Sequence, residues 1–200
     1  MSEHYYSQNP SVESKPVRFQ FTLRGSSFEF TTDQGVFSKN EIDFGSRLLI
    51  ESFEMPSTEG KILDVGCGYG PIGLSIAKEF ATRKVDMVDV NERAMTLAKK
   101  NAEINGIHNV NIYYSDALRN IDYEEYAVIL TNPPIRAGKK TVHEIFETGY
   151  SKLKPNGEMW IVIQKKQGAP SAIEKLKSMF TSVDVIAKSK GYFIICAKKQ

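Results

Sequence analysis

The chain has little cysteine, no long apolar run and almost no net charge. Its 200 residues include two cysteines, Cys67 and Cys196. One sits in a glycine-rich turn and the other in a late apolar stretch, so no bridge is expected. Free thiols fit a reducing compartment. No Cys/His cluster has the spacing of a structural zinc site, and no metal is expected. No apolar stretch approaches the length of a bilayer span, so no membrane partner is expected. The first residues, Met1-Ser2-Glu3-His4-Tyr5-Tyr6, lack the basic and apolar regions of an export signal. Together these absences predict a cytoplasmic protein. The formal charge of +2 excludes a chain that is basic or acidic throughout. The charge is nevertheless uneven. Residues 1–135 carry 13 Lys and Arg against 19 Asp and Glu, whereas residues 136–200 carry 13 against 5. The basic portion is either a phosphate-binding face or a solvated lysine surface.

What the chain does have is Ile62-Leu63-Asp64-Val65-Gly66-Cys67-Gly68-Tyr69-Gly70-Pro71-Ile72-Gly73. Ile62, Leu63 and Val65 suit a strand buried on both faces. Gly66, Gly68 and Gly70 allow positive φ and let a ligand approach the backbone. Pro71 suits the first turn of a helix, continued by Ile72, Leu74, Ile76 and Ala77. A strand, a glycine turn and a helix N-terminus make a nucleotide-type cofactor site. The G-x-G-x-x-G spacing is met only in a register that starts inside the turn and ends past Pro71, which argues against a dinucleotide. The run Asp64 to Gly70 resembles the first motif of class I S-adenosylmethionine-dependent methyltransferases.

In chain order, residues 1–16 read as a polar arm. Tyr5 and Tyr6 can stack on a base or pack on the domain. The alternation of Val17, Phe19, Phe21 and Leu23, then Phe28 and Phe30, predicts a hairpin over 17–31 with a turn at Gly25-Ser26-Ser27. A helix through Leu48, Leu49, Ile50 and Phe53 ends before Pro56. Residues 1–56 thus form an arm, hairpin and lid helix, and 57–200 a cofactor-binding domain, in one compact unit. In the second part, strands at Lys61–Val65, Lys84–Val88, Val110–Tyr114, Ala127–Leu130 and Glu158–Ile163 alternate with helices. Those helices begin at Ile72, after Asn91, near His143 and at Pro170. Pro155-Asn156-Gly157 reads as a turn. A hairpin of Ser182–Ala187 and Tyr192–Ala197 closes the chain. Repeated β–α units require a mostly parallel sheet, and the closing hairpin adds one antiparallel strand. The fold class is α/β, similar to the Rossmann-like seven-stranded methyltransferase sheet, with helices on both faces.

Ligands of such sheets bind at the carboxyl ends of the strands. Asp64, Asp89, Asp116 and Asn132 all fall at such ends. Asp89, about twenty residues past the glycine turn, can accept from two ribose hydroxyls or simply face a helix N-terminus. Asp116 can serve a ligand or cap a turn. Asn132-Pro133-Pro134-Ile135 resembles the Asn-Pro-Pro-aromatic motif of methyltransferases that act on planar nitrogen. The Asn132 side-chain oxygen and the Pro133 carbonyl can both accept N–H bonds, and the prolines stiffen the loop. The usual aromatic is Ile135 here, and Arg136 offers a guanidinium plane for stacking.

His4-Tyr5-Tyr6-Ser7, Gly35-Val36-Phe37-Ser38 and Asp43-Phe44-Gly45-Ser46-Arg47-Leu48-Leu49 further resemble segments of small-subunit ribosomal RNA guanine-N2 methyltransferases. Two-domain members carry an extra N-terminal half, and this chain resembles the catalytic half alone. The resemblance implies S-adenosylmethionine as cofactor, held by Asp64, Gly66, Cys67, Gly68, Gly70, Asp89, Val90, Asp116, Ala117 and Asn132. It assigns Asp116 to the adenine amino group. Asn132, Pro133 and Pro134 are the implied catalytic loop. Ile135, Arg136, Tyr5 and Tyr6 are the expected substrate contacts, and Phe37 and Asp43 are placed near the cofactor. The implied partner is ribosomal RNA or the small subunit, met by a monomer. Two alternatives remain: methylation of a protein glutamine amide, and a module that binds without catalysis.

Overall fold

Alternating aromatics build the first element. Val17–Leu23 (β1) and Ser26–Thr32 (β2) pair antiparallel, with Phe19 opposite Phe30 and Phe21 opposite Phe28. The computed structural model describes residues 13–38 and 41–200. Tyr5 and Tyr6 lie outside the described residues. The hairpin turns at Arg24 (φ 48°) and Gly25 (φ 74°). This is earlier than the turn expected at Gly25–Ser27, because pairing runs on to Ser26 opposite Leu23. A two-residue turn with both φ positive matches the twist of the flanking strands.

The remaining elements follow as a β–α series. Phe44–Ser52 is α1, Ile62–Val65 β3, Pro71–Glu79 α2, Val85–Asp89 β4, Glu92–Ile104 α3 and Val110–Tyr114 β5. Tyr126–Thr131 is β6, and a 3-10 turn at Ile135–Ala137 leads into α4, Lys139–Lys152. Leu153–Gln164 is β7, Ala169–Lys177 α5, Ser182–Ser189 β8 and Tyr192–Lys198 β9. The sheet order is β5-β4-β3-β6-β7-β9-β8. Only β9 runs against the others. The mostly parallel seven-stranded sheet with one reversed strand is as expected.

Two expectations are corrected. Pro155-Asn156-Gly157 does not end an element but lies within β7. Pairing with β6 holds on both sides, at Tyr126–Leu153 and Val128–Glu158, so the three residues form a bulge with Asn156 at φ 62°. The helix expected from His143 begins four residues earlier, at Lys139. Gly138 at φ 97° redirects the chain there.

Successive residues of each strand enter opposite layers, which places helices on both faces. Ile62, Leu130 and Trp160 pack with α1, α2, α3 and the hairpin. Leu63, Ile129 and Ile161 pack with α4 and α5. The hairpin is held by its aromatic face and by its outer edge. Phe30 meets the Tyr69 ring edge-on at 5.8 Å. The edge of β2 is completed by two side chains one turn apart, Asn101 of α3 and Asn105, its C-cap. Asn105 accepts from the Glu29 N–H (3.0 Å) and donates to its carbonyl (2.8 Å). Asn101 does the same with Thr31 (2.8 and 2.9 Å) and also donates to the Tyr69 carbonyl (2.9 Å). Amides separated by one helical turn nearly match the two-residue repeat of a strand edge. They satisfy backbone groups that an open edge would expose.

Asn101 is fully buried. Replacing it with Ala leaves three backbone groups without partners, each costing about 1–3 kcal/mol when buried. The expected loss for Asn101→Ala is about 3 kcal/mol or more, read as a lower urea midpoint. Asn101→Asp, which turns a carboxylate oxygen on the Thr31 and Tyr69 carbonyls, is expected to lose at least as much at neutral pH.

Candidate active site

The chain runs outward from β3 through β4 to β5, then returns to place β6 on the other side of β3. Ligands of open α/β sheets bind at such a switch point. The ends of β3 and β6 are tied there by Thr131, whose hydroxyl donates to the Val65 carbonyl (3.0 Å). A cavity of about 170 Å³ opens beside them. Its walls bring together Gly66, Cys67, Gly68, Asp89, Val90, Asp116, Ala117, Asn132, Pro133 and Pro134.

The three glycines of the turn have different reasons. All have positive φ: 73° at Gly66, 57° at Gly68 and 104° at Gly70. A Cβ on Gly66 or Gly68 would meet nothing within 4 Å, so a side chain there would fill space open to a ligand. A Cβ on Gly70 would lie 2.7 Å from Leu74 Cδ1, so that glycine serves packing and the entry into α2.

Two carboxylates shape the turn, Asp64 buried and Asp89 half-buried at the cavity wall. Asp64 Oδ2 accepts from the Gly73 N–H in α2 (2.8 Å). Its Oδ1 is buried without a partner. Burial pushes the Asp64 carboxyl up to about 7, opposed by the Gly73 hydrogen bond and aided by nearby Asp89. Asp89 accepts from the Gly68 N–H and the Asn91 N–H, both at 2.8 Å. Burial raises its pKa despite those bonds. Each Asp89 oxygen keeps a further lone pair for a hydroxyl. Cys67 is buried, and its thiol is pushed well up by burial and by both carboxylates. A thiol so disposed is neutral and no nucleophile.

On the far wall, Asp116 pairs with Arg119 (2.5 Å), which also holds Glu144. Ala117 has φ 50°, a left-handed conformation for a residue with a side chain. Ser115, Thr141 and Ile145 complete this wall.

Asn132 follows β6 at the cavity mouth. Its Nδ2 donates to Ser46 Oγ (3.1 Å) and lies 3.4 Å from Asp43 Oδ1. Asp43 is the N-cap of α1, accepting from the Ser46 N–H (3.0 Å). A carboxylate only accepts, so the amino end of the Asn132 amide faces α1. The oxygen end is left for another partner. α1 itself is seated by Gly45, where a Cβ would lie 2.7 Å from the Tyr192 ring. Ser46 was not singled out in the sequence. The Asp43-x-x-Ser46 spacing of an N-cap is the one signal that marks it.

Not every expected residue reaches the cavity. Asp64 and Gly70 stand behind its wall, acting on backbone and packing. Ile135 packs against the core layer under α4. Arg136 is exposed, and neither lines the cavity. Phe37 does, and it is 40% exposed. Among the described residues, no group of three or more His, Cys, Asp or Glu is placed to hold a metal. No helix among them is long and apolar enough to cross a membrane.

Fold and site define a class I methyltransferase, and comparison with known proteins gives the particular family. Residues 27–196 match the model of the methyltransferase small domain, and the chain belongs to that family. It is 64% identical over the whole length of both chains to an uncharacterized protein, YbxB, of Bacillus subtilis (strain 168). It is 34% identical to ribosomal RNA small subunit methyltransferase C of Vibrio parahaemolyticus, covering 98% of this chain and 58% of that one. The chain thus spans little more than half the length of the methyltransferase C relatives it matches. The fold is shared with a T. thermophilus 16S rRNA N2 methyltransferase solved with AdoMet and guanosine. There the TM-score is 0.82 at 23% identity, over 96% of this chain and 52% of that one. Ribosomal protein L11 methylase of Lactobacillus delbrueckii subsp. bulgaricus shares it at TM-score 0.70 and 20% identity, over 84% of each chain.

The family's cofactor is S-adenosylmethionine, and the residues present fit it. The open glycine cradle accepts a ligand backbone-close, and Asp89 offers acceptors suited to hydroxyls. The orphaned Asp64 oxygen places negative potential behind the turn, suited to a cationic ligand.

The raised carboxyl of Asp64 makes stability pH-dependent. Its proton is held more tightly folded (about 7) than unfolded (~3.9), so stability is full at acid pH. It falls by up to about 1.4 kcal/mol per pH unit as pH rises toward 7. Asp89 acts in the same sense. Urea unfolding of the free protein at pH 5 and pH 8 is expected to show this fall, and Asp64→Asn is expected to reduce it.

Proposed function

We propose that this protein transfers a methyl group to the exocyclic amino nitrogen of a guanine in small-subunit ribosomal RNA, as a cytoplasmic enzyme. The observation that carries the reading is the fixed amide of Asn132. With Nδ2 engaged by Ser46 and Asp43, its oxygen is left as an acceptor at the cavity, and the carbonyl of the adjoining Pro133, which also lines it, is the proposed second acceptor. An exocyclic amino nitrogen is a poor nucleophile because its lone pair is delocalised into the ring. Two acceptors that take both of its N–H bonds turn the lone pair toward the cavity. The cofactor, when bound, supplies a methyl activated by positive sulfur, so the protein's task is positioning. The target nitrogen, held by Asn132 and Pro133, would take that methyl and release one amino proton to water. The named activities of the relatives support guanine in ribosomal RNA as target.

In the expected division of roles, Asp89 and Val90 hold the ribose end and Asp116 with Ala117 the adenine end. Phe37, which lines the cavity while the half-buried Ile135 does not, offers the stacking face for the base. Asn132→Ala is expected to abolish transfer while lowering cofactor affinity only slightly. Surviving turnover would rule out the amide mechanism. Ser46→Ala removes one of the two groups that orient the amide. It is expected to lower kcat several-fold with little change in KM, whereas Phe37→Ala is expected to act mainly on KM.

The direct test uses radiolabelled S-adenosylmethionine with unmodified small subunits, free ribosomal RNA and a protein extract in parallel. Label at a guanine amino group is the expected result. Label in protein would move the target to a glutamine amide, which the same acceptors would hold.

A further inference from the structure

The carboxyl-end edge of the sheet is divided by charge, and the division falls at Asn132. Three loops emerge side by side on the β6-β7-β9-β8 half. The first, after β6, carries Arg136, Lys139 and Lys140. The second, after β7, carries Lys165 and Lys166. The third is the β8–β9 turn, which the antiparallel pairing of Gln164 with Tyr192 brings to the same edge. It carries Lys188 and Lys190. Residues 132–141, 164–168 and 188–192 contain no Asp or Glu. All seven cations are exposed, and no ion pair among the described residues uses any of them. The other half of the edge holds Asp89 and Asp116, in the cofactor cavity.

The three loops form one surface. The Lys165 N–H donates to the Gly191 carbonyl (2.8 Å), joining the second loop to the third. The Lys190 ammonium stands 4.7 Å over the Phe44 ring, beside the Tyr192 ring. Phe44 follows Asp43, which faces Asn132. The cationic rim is therefore continuous with the acceptor loop. Lys188 is likewise held over Phe193 at 4.9 Å. Cation–π contacts of this kind hold the ammonium groups at the surface without neutralising them.

We infer that these three loops form a track for the phosphate backbone of the RNA, leading a flanking strand away from the base held at Asn132. The inference rests on the RNA reading above for the kind of polyanion. Seven cations distributed over three loops, two of them seated over rings, fit a polynucleotide better than a compact anion. It also accounts for the excess of Lys and Arg in residues 136–200, since the topology gathers those loops on one side of the catalytic asparagine.

The test is salt dependence. Binding of a fluorescein-labelled RNA hairpin with a single-stranded loop is measured by anisotropy over a KCl series. The triple variant Lys165→Ala, Lys166→Ala, Lys190→Ala is compared with a control, Lys84→Ala, Lys99→Ala, Lys100→Ala, at exposed sites off this edge. Each lysine–phosphate pair that is removed lowers the log–log salt slope by about 0.7, so the rim variant is expected to fall by about two units. The control is expected to keep the wild-type slope, and both are expected to keep cofactor affinity, which checks folding. Equal slopes for rim variant and control would overturn the track. So would binding of the wild type to phosphatidylglycerol vesicles but not to RNA. Rim-dependent RNA binding without methyl transfer would sink the guanine reading and leave the track standing. Methyl transfer to RNA that ignores the rim variant would sink the track alone.

Discussion

Two carboxylates at the ends of β3 and β4, Asp64 buried and Asp89 half-buried, hold the loop on which the rest of the site depends. Asp64 grips the first turn of α2 through Gly73, and Asp89 grips Gly68 in the middle of the glycine turn. Both are held against the cost of burial, which raises both pKa values. The backbone N–H bonds offset part of that cost. The result is a loop whose two open glycines face a cavity rather than a neighbour. A methyl donor with a cationic sulfur and an ammonium group suits a wall of this charge.

The N-terminal extension is the second half of the same construction. The hairpin lies on α3 through the amides of Asn101 and Asn105, and Asn101 also reaches the Tyr69 carbonyl inside the glycine loop. Helix α1 then orients Asn132 by way of Asp43 and Ser46. A segment that precedes the sheet in sequence thus braces the cofactor loop at one point and the acceptor loop at another. Each brace engages a side-chain amide, Asn101 at both ends and Asn132 at its amino end only, so each fixes a conformation that packing alone would leave free.

Charge follows the same division of labour. The cofactor half of the sheet edge is lined by carboxylates, while the half beyond Asn132 is lined by lysines on three loops. Opposite signs on either side of Asn132 suit the cationic donor and polyanionic acceptor of the proposed reaction.

Much of this was written in the residue order. The buried run Ile62–Val65, the glycines and Pro71 specify strand, turn and helix locally, because backbone freedom and apolar period act over a few residues. The β–α alternation forced a parallel sheet, and the strand-end positions of Asp89, Asp116 and Asn132 followed from it. What only the tertiary structure decided were contacts between residues far apart in the chain. Ser46 on Asn132, Asn101 on Thr31 and Tyr69, and the convergence of three basic loops all depend on strand order, which no local pattern encodes. The bulge at Pro155–Gly157 shows the same limit: a turn sequence stayed in a strand because β6 held its backbone on both sides. Ile135 reads as a substrate contact in the motif, yet the turn at Ile135–Ala137 leaves it half-buried against the layer that holds α4, outside the cavity that Phe37 lines. Sequence named the chemistry at each strand end, and tertiary packing chose which side chains turn toward it.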